Sequence, residues 1–227
     1  MKIVLESKTS LYDIIEGFLF CTDRLDEIDK YIEGSVLTAK GKKLIYDNLV
    51  NTENPHMQVM NQVIFKLKIF DITRSCLQEF ARHRYGNEIL VKSTRFTIGR
   101  ISNEDLPSLN HGDNRQYDYV QKYYYIPYVE FMDIYEEKDW INERYKELLI
   151  IKEYKLYGMK NDFLKKYVND YMLCNINSTM SGTCLLNMFN KRLSKKAFYQ
   201  FRNLMNLIKE NIPYDFKFIK EMIKIKD

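Results

Sequence analysis

The chain has 227 residues, a formal net charge of +4 from 35 basic and 31 acidic side chains, and a 45% hydrophobic share. That composition excludes a disordered protein, and a chain of this length can bury a core without disulfide staples. The charge is too mild for a nucleic-acid coat, though it allows a local anion pocket, and no uncharged apolar run approaches the roughly 20 residues that span a bilayer.

"KIVLES" near the start reads as a short strand, and "LYDIIEGFLFCTDR" as a helix with Leu11, Ile14, Ile15 and Phe18 at helical spacing. "GKKLIYDNLVNT" is another short helix. Residues 63–69, "VIFKLKI", alternate: Val63, Phe65, Leu67 and Ile69 share one face, Lys66 and Lys68 the other, as in a half-buried strand. Asp71 is placed to cap a helix through "ITRSCLQEFARHR", whose stripe is Ile72, Cys76, Leu77, Phe80 and Ala81. Gly86 lies just past its end, so Arg82, His83 and Arg84 fall in its last turn.

Residues 102–118, "SNEDLPSLNHGDNRQYD", read as a long surface loop; its His111 is given no role. Helical patterns dominate 120–172, with most charges on solvated faces. Residues 183–192 and 194–211 read as consecutive helices, the second capped by Ser194, followed by Pro213, and carrying a core stripe of Phe198, Phe201, Met205 and Ile208. With no repeat or linker, the expectation is a single α+β domain over residues 1–227. Cys21, Cys76, Cys174 and Cys184 form no C-x-x-C pair, and "MKIVLESKTS" lacks the apolar core of a signal peptide. A cytoplasmic protein with reduced thiols and no membrane partner is expected.

Chemistry concentrates in "EFARHRYGNEILVKSTRFT". Successive helical residues are about 100° apart, so Arg82, His83 and Arg84 address different ligands or different parts of a large one. Glu79 lies three and four residues before Arg82 and His83, within side-chain reach. Arginine suits bidentate phosphate contact, and Ser93 and Arg95 add a hydroxyl and a further guanidinium. The competing explanation is structural, because a helix C-terminus favours cations by about 0.3–1 kcal/mol on its own.

The triplet followed by Ser-x-Arg resembles the signature of flavin-dependent thymidylate synthases, the ThyX family: Arg-His-Arg, seven residues, then Ser, commonly continuing x-Arg-Tyr. Here eight residues separate Arg84 from Ser93, and Phe96 replaces the Tyr. "ITRSCLQEFARHR" is similar to the family run in which Ser-Arg-Ser or Ser-Arg-Ala precedes a Gln or Glu and the triplet, with Glu79 at the acidic or amide position. "HMQVMNQVIFKLKI" resembles a His-x-(Ser/Thr)-x-x-Glu-His segment leading into a strand; His56 matches its first His, while Asn61 and Gln62 replace Glu and His. "LLNMFNKRLSKKAFYQFR" resembles "LxNFLxLRxxxxAQxEIR", placing Asn187, Arg192 and Ala197 on the motif, with Gln200 for its Glu. Where the family usually carries another Arg, Asn169 and Asp170 stand. The resemblance covers residues 56–97 and 170–216.

The resemblance implies a twisted sheet with helices and a homotetramer whose active sites combine several chains. It implies an FAD-dependent methyltransferase of nucleotide biosynthesis, with NADPH as reductant and methylenetetrahydrofolate as carbon donor, converting dUMP to dTMP. His56, Asn61 and Asn187 would contact the flavin, and Arg82, His83 and Arg84 would divide between FAD and nucleotide. Glu79, Arg82, Ser93, Thr94 and Arg95 would hold the nucleotide, and Arg192 would lie against the pyrimidine ring. Arg192 and Ser93 are the catalytic candidates, with Ser93 a nucleotide ligand more than a covalent catalyst, since no histidine base neighbours it in sequence. No metal and no nucleic acid are implied. Structural alternatives stay open: a turn role for His56, a helix-bend role for Asn187, and surface roles for Arg202, Lys195 and Lys196. So do two other functions, a flavoenzyme acting on another pyrimidine nucleotide or giving another one-carbon product, and a non-catalytic nucleotide- or RNA-binding module.

Overall fold

A computed structural model describes residues 1–108, 114–128 and 133–225; His111 lies outside them. In chain order the elements are β1 (Lys2–Ser7), α1 (Leu11–Cys21), β2 (Ile32–Glu33), β3 (Val36–Leu37), α2 (Ala39–Ile45), α3 (Met57–Gln62), β4 (Ile64–Thr73) and α4 (Arg74–Ala81). There follow β5 (Asn87–Val91), α5 (Thr94–Ser102), α6 (Asn114–Tyr123), α7 (Ile134–Leu156), α8 (Asn161–Leu164), β6 (Leu173–Ser181), α9 (Gly182–Arg192), α10 (Tyr199–Glu210) and α11 (Phe218–Glu221). The fold is α+β, with a four-stranded sheet ordered β1-β4-β6-β5 and a small ribbon of β2 and β3. Contacts divide the chain into two compact units: residues 1–69, 79–90 and 176–227, and residues 70–78 and 91–175.

In the first unit the alternation of β4 buries Phe65, Leu67 and Ile69 completely. Ser10 opens α1 with a capping box closed by Asp13, and Ile14, Ile15, Phe18 and Leu19 face the core. Helix α9 packs against α3 and α10. Its approach to α3 is close: a Cβ on Gly182 would sit 2.7 Å from Met60 Cε and 3.0 Å from the Met60 carbonyl oxygen. Phe201, Leu204, Met205 and Ile208 of α10 are fully buried, each contributing about 1.5–3 kcal/mol.

In the second unit α5, α6 and α7 enclose a separate core built on Ile98, Ile101, Val120, Tyr145, Leu148 and Ile151. Ser93 caps α5, its hydroxyl accepting from the Arg95 N–H at 3.3 Å.

Several local expectations are corrected. Asp71 is not a helix cap; it lies inside β4 with φ 58°. Buried positions switch parity across it, from Ile69 to Ile72, as expected where a strand takes a left-handed residue. The Thr73 hydroxyl accepts from the Cys76 N–H instead, at 3.1 Å. Helix α4 stops at Ala81, so the Arg-His-Arg triplet follows the helix and occupies the turn into β5. The loop proposed for 102–118 is interrupted by α6 from Asn114, and its residues 109–113 lie outside the described chain. Ser194 does not cap α10, which starts at Tyr199; its hydroxyl accepts from the Lys196 N–H, and Phe198, 39% exposed, falls off the core stripe.

Gly86 fixes the turn after the triplet. It takes φ +67°, and a Cβ there would sit 2.5 Å from Ser181 Oγ. Gly34 takes φ +63° with open space around it. Urea unfolding of Gly34→Ala is therefore expected to lose about 1–2 kcal/mol from backbone strain alone. Gly86→Ala should lose more, about 2–4 kcal/mol, because crowding adds to strain. Equal losses would contradict this assignment of the turn.

Candidate functional site

In the first unit the end of α4 delivers a carboxylate and three basic side chains to one turn. His83 N–H donates to the Phe80 carbonyl at 3.2 Å. Asn87 Nδ2 donates to the His83 carbonyl at 3.0 Å, and Asn87 Oδ1 accepts from Ser178 Oγ at 2.5 Å. Ser181 N–H donates to the Gly86 carbonyl at 2.8 Å. The turn is thus tied to β6 by backbone and by a buried amide.

Glu79 joins two arginines: Oε1 meets Arg82 at 2.5 Å and Oε2 meets Arg192, from the end of α9, at 3.1 Å. Arg192 Nε donates to His83 Nε2 at 3.1 Å. An accepting Nε2 requires a neutral ring with its proton on Nδ1. The His83 ring stacks on Phe201 of α10, centroids 6.0 Å apart at 20°, and the Arg192 guanidinium carbon lies 5.6 Å from the centre of the same ring. Burial, then the charges of Arg192 and Lys191, lower the His83 pKa from 6.5 to about 4, against an opposing pull from Glu79. Arg84 is exposed and has no ion-pair partner among the described residues. One carboxylate against three guanidiniums leaves the turn positive and able to hold an anion.

The flavin candidates lie in the same unit. His56 precedes α3, its ring edge-on to Phe18 at 6.3 Å and its N–H donating to the Asn48 carbonyl. Its neighbours Pro55 and Met57 line a hollow of about 340 Å³ together with Asn187, Thr183 and Asn190. The Asn187 amide is exposed and satisfies no backbone group among the described residues, so the helix-bend explanation has no contact behind it. Asn61 is exposed on α3 and does not line that hollow.

Ser93, Thr94 and Arg95 belong to the second unit. Arg95 Nε meets Asp162 Oδ1 at 2.7 Å, and Asn161 Nδ2 donates to the Arg95 carbonyl at 3.0 Å. Lys165 also meets Asp162, and hydrogen bonds from Lys165 and Arg95 hold that carboxyl below its usual range. Arg74 Nη1 donates to Thr94 Oγ1 at 2.6 Å. Arg74 was missed as a candidate; its signal is the Thr73-Arg74-Ser75 run opening α4, read only as part of a motif. Asp170 serves structure: its carbonyl accepts from Ser75 N–H and its carboxylate from Gln78 Nε2. Arg202 donates to the Lys195 carbonyl at 2.7 Å and lies over Tyr199. Among the described residues no cluster of His, Cys, Asp or Glu could hold a metal ion, and no helix is long and apolar enough to cross a membrane.

Known proteins resemble this chain over most of its length. The flavin-dependent thymidylate synthase of Wolinella succinogenes is 24% identical over 220 residues, 96% of this chain and 97% of its own length. That of Campylobacter jejuni is 29% identical over 188 residues, 83% of each. The crystal structure of Helicobacter pylori ThyX with FAD and dUMP superposes with a TM-score of 0.78 at 18% identity, covering 99% of this chain and 100% of that one. A UMP/dUMP methylase, PolB from Streptomyces cacaoi, bound with 5-Br dUMP, superposes at 0.61 with 10% identity, covering 92% and 89%. The model of the Thy1 family, thymidylate synthase complementing protein, matches residues 10–213, and the chain belongs to that family.

Proposed function

We propose that the protein is a flavin-dependent thymidylate synthase that converts dUMP to dTMP, with methylenetetrahydrofolate as carbon donor and NADPH as reductant. The observation that carries this reading is the Arg192 guanidinium, fixed at once by Glu79, His83 and Phe201. Uracil C5 is a poor nucleophile until negative charge builds on the ring, and a guanidinium already in place at a ring carbonyl stabilises that charge without reorganising. FAD, when bound, supplies the hydride chemistry that no side chain can perform.

The donor set fits that group. Arg84 and Asn187 are exposed without partners among the described residues, and the hollow beside Asn187 and Met57 is part apolar, as an aromatic cofactor requires. His56 and Arg82 border the same role, and His83 serves it by keeping Arg192 in place. Ser93, Thr94 and Arg95 hold the nucleotide phosphate, with Arg74 positioning Thr94. In a homotetramer with shared sites those residues come from whichever copy completes the site. Ser93 acts as a hydrogen-bond donor: its oxygen already accepts from the backbone of α5 and has no base to activate it among the described residues.

Purified protein is expected to be yellow with an FAD spectrum and to release tritium from 5-labelled dUMP in the presence of NADPH and folate. Arg192→Gln should lower turnover by about 100-fold with a smaller change in the dUMP KM, as for a contact that strengthens at the transition state. Colourless protein that takes up no FAD would overturn the reading.

The state of His83 gives a second test. Its folded pKa of about 4 lies below the ordinary 6.5. Between those values the unfolded chain binds a proton that the folded chain refuses, so stability rises with pH. The His83 contribution is complete above about pH 6.5 and is lost progressively as pH falls toward 4. Wild-type protein should therefore lose more stability over that interval than His83→Gln, and NMR should find the ring neutral at pH 5. In Arg192→Gln the His83 pKa should rise part of the way to 6.5, since burial remains. A ring titrating near 6.5 in the wild type would contradict the Arg192–His83 contact.

A further inference from the structure

The second unit holds a polar hollow of about 440 Å³ that the reactions above leave unassigned. Its floor is unusual backbone: Asp71, at φ 58°, donates its N–H to Asn175 Oδ1 at 3.0 Å, and Lys92 N–H donates to the Asn175 carbonyl at 2.9 Å. Thr97, Arg100 and Asn103 line one side at three-residue spacing along and just past α5. On the other side Lys122 and the Tyr123 hydroxyl both hydrogen-bond Glu104, which neutralises that wall.

Lys92 and Arg100 differ from Lys122. Neither has an ion-pair partner among the described residues, and Asp71, which lines the same hollow, has no ion pair among them either. Two unneutralised cations call for an anion with more than one charge. A lone carboxylate beside them repels a bare phosphate but accepts hydrogen bonds from hydroxyls attached to one. The volume suits a small molecule of nucleotide size.

We propose that this hollow binds a ribose carrying a phosphate monoester, with Arg100 and Lys92 on the phosphate and Asp71 accepting from the sugar hydroxyls. Two sources share that chemistry: the phosphorylated ribose of the nicotinamide reductant, which rests on the function proposed above, and a free nucleotide, which does not.

The test uses the full-length, FAD-loaded protein and adenosine 2′-phosphate as probe in calorimetric titrations. Wild-type protein should bind it, Arg100→Gln and Lys92→Gln should each weaken binding by about tenfold or more, and Lys122→Gln, already engaged with Glu104, by less than about twofold. Asp71→Asn should weaken the nucleotide but not inorganic phosphate. If the reductant is the source, Arg100→Gln raises the KM for NADPH about tenfold and leaves the KM for NADH unchanged. If a free nucleotide is the source, probe binding falls while both KM values stay put. No probe binding to the wild type, or equal binding by wild type and an Arg100→Gln/Lys92→Gln double variant, overturns the proposal. An unchanged flavin spectrum and dUMP affinity in those variants separate that failure from a failure of the catalytic reading.

Discussion

Arg192 is held from three sides, and each side comes from a different element. Glu79 on α4 supplies charge, His83 in the following turn supplies an acceptor nitrogen, and Phe201 on α10 supplies an aromatic face. A free arginine side chain loses about 2 kcal/mol of rotamer freedom on being fixed. Here that loss is met during folding, so it would not have to be met again on binding the pyrimidine proposed for this guanidinium. The arrangement depends on a histidine that stays neutral. Burial sets that condition, and the neighbouring cations reinforce it. A protonated ring would lose its acceptor and repel the guanidinium it holds.

The fold supplies this geometry through close approaches. Gly182 lets α9 start against Met60, with Arg192 at the far end of the same helix, and Gly86 turns the chain after the triplet so that its own carbonyl accepts from Ser181 N–H at the end of β6. In the second unit Ser93 both ends a connection and starts a helix, so the residues after it are presented from a rigid first turn. Arg74 and Asp162 then restrain Thr94 and Arg95. Side chains held this way lose little freedom if they take a ligand, as proposed for these three.

The local part of the candidate cluster was legible in the sequence, because it is carried by residue type and spacing. Glu79, Arg82 and His83 are neighbours along the chain, and the ion pair from Glu79 to Arg82 is a three-residue contact. The link to Arg192 spans more than a hundred residues, and only the resemblance pointed to it. The ring of Phe201 was read as core and is core, yet it also faces His83 and Arg192; periodicity reports burial, not what lies across it. Strand β4 was legible from its alternation. Strands β5 and β6 were not: "NEILV" has no clean period, and in "LCNINSTMS" the alternation of Cys174, Ile176 and Met180 is masked by Ser178, a hydroxyl at a fully buried position. The caps assigned to Asp71 and Ser194 failed because a polar residue before an apolar stripe marks a helix start only if the backbone there is free: Asp71 is a left-handed residue inside β4, and Ser194 is engaged in the turn before α10.

The most direct test of the Arg192 arrangement is a crystal structure of the protein with FAD and dUMP. The pyrimidine should lie with a carbonyl about 2.7–3.2 Å from the Arg192 guanidinium, while the contacts from Arg192 to Glu79 and His83 persist. A pyrimidine seated away from Arg192, or an Arg192 side chain released from Glu79 and His83 into solvent, would contradict it.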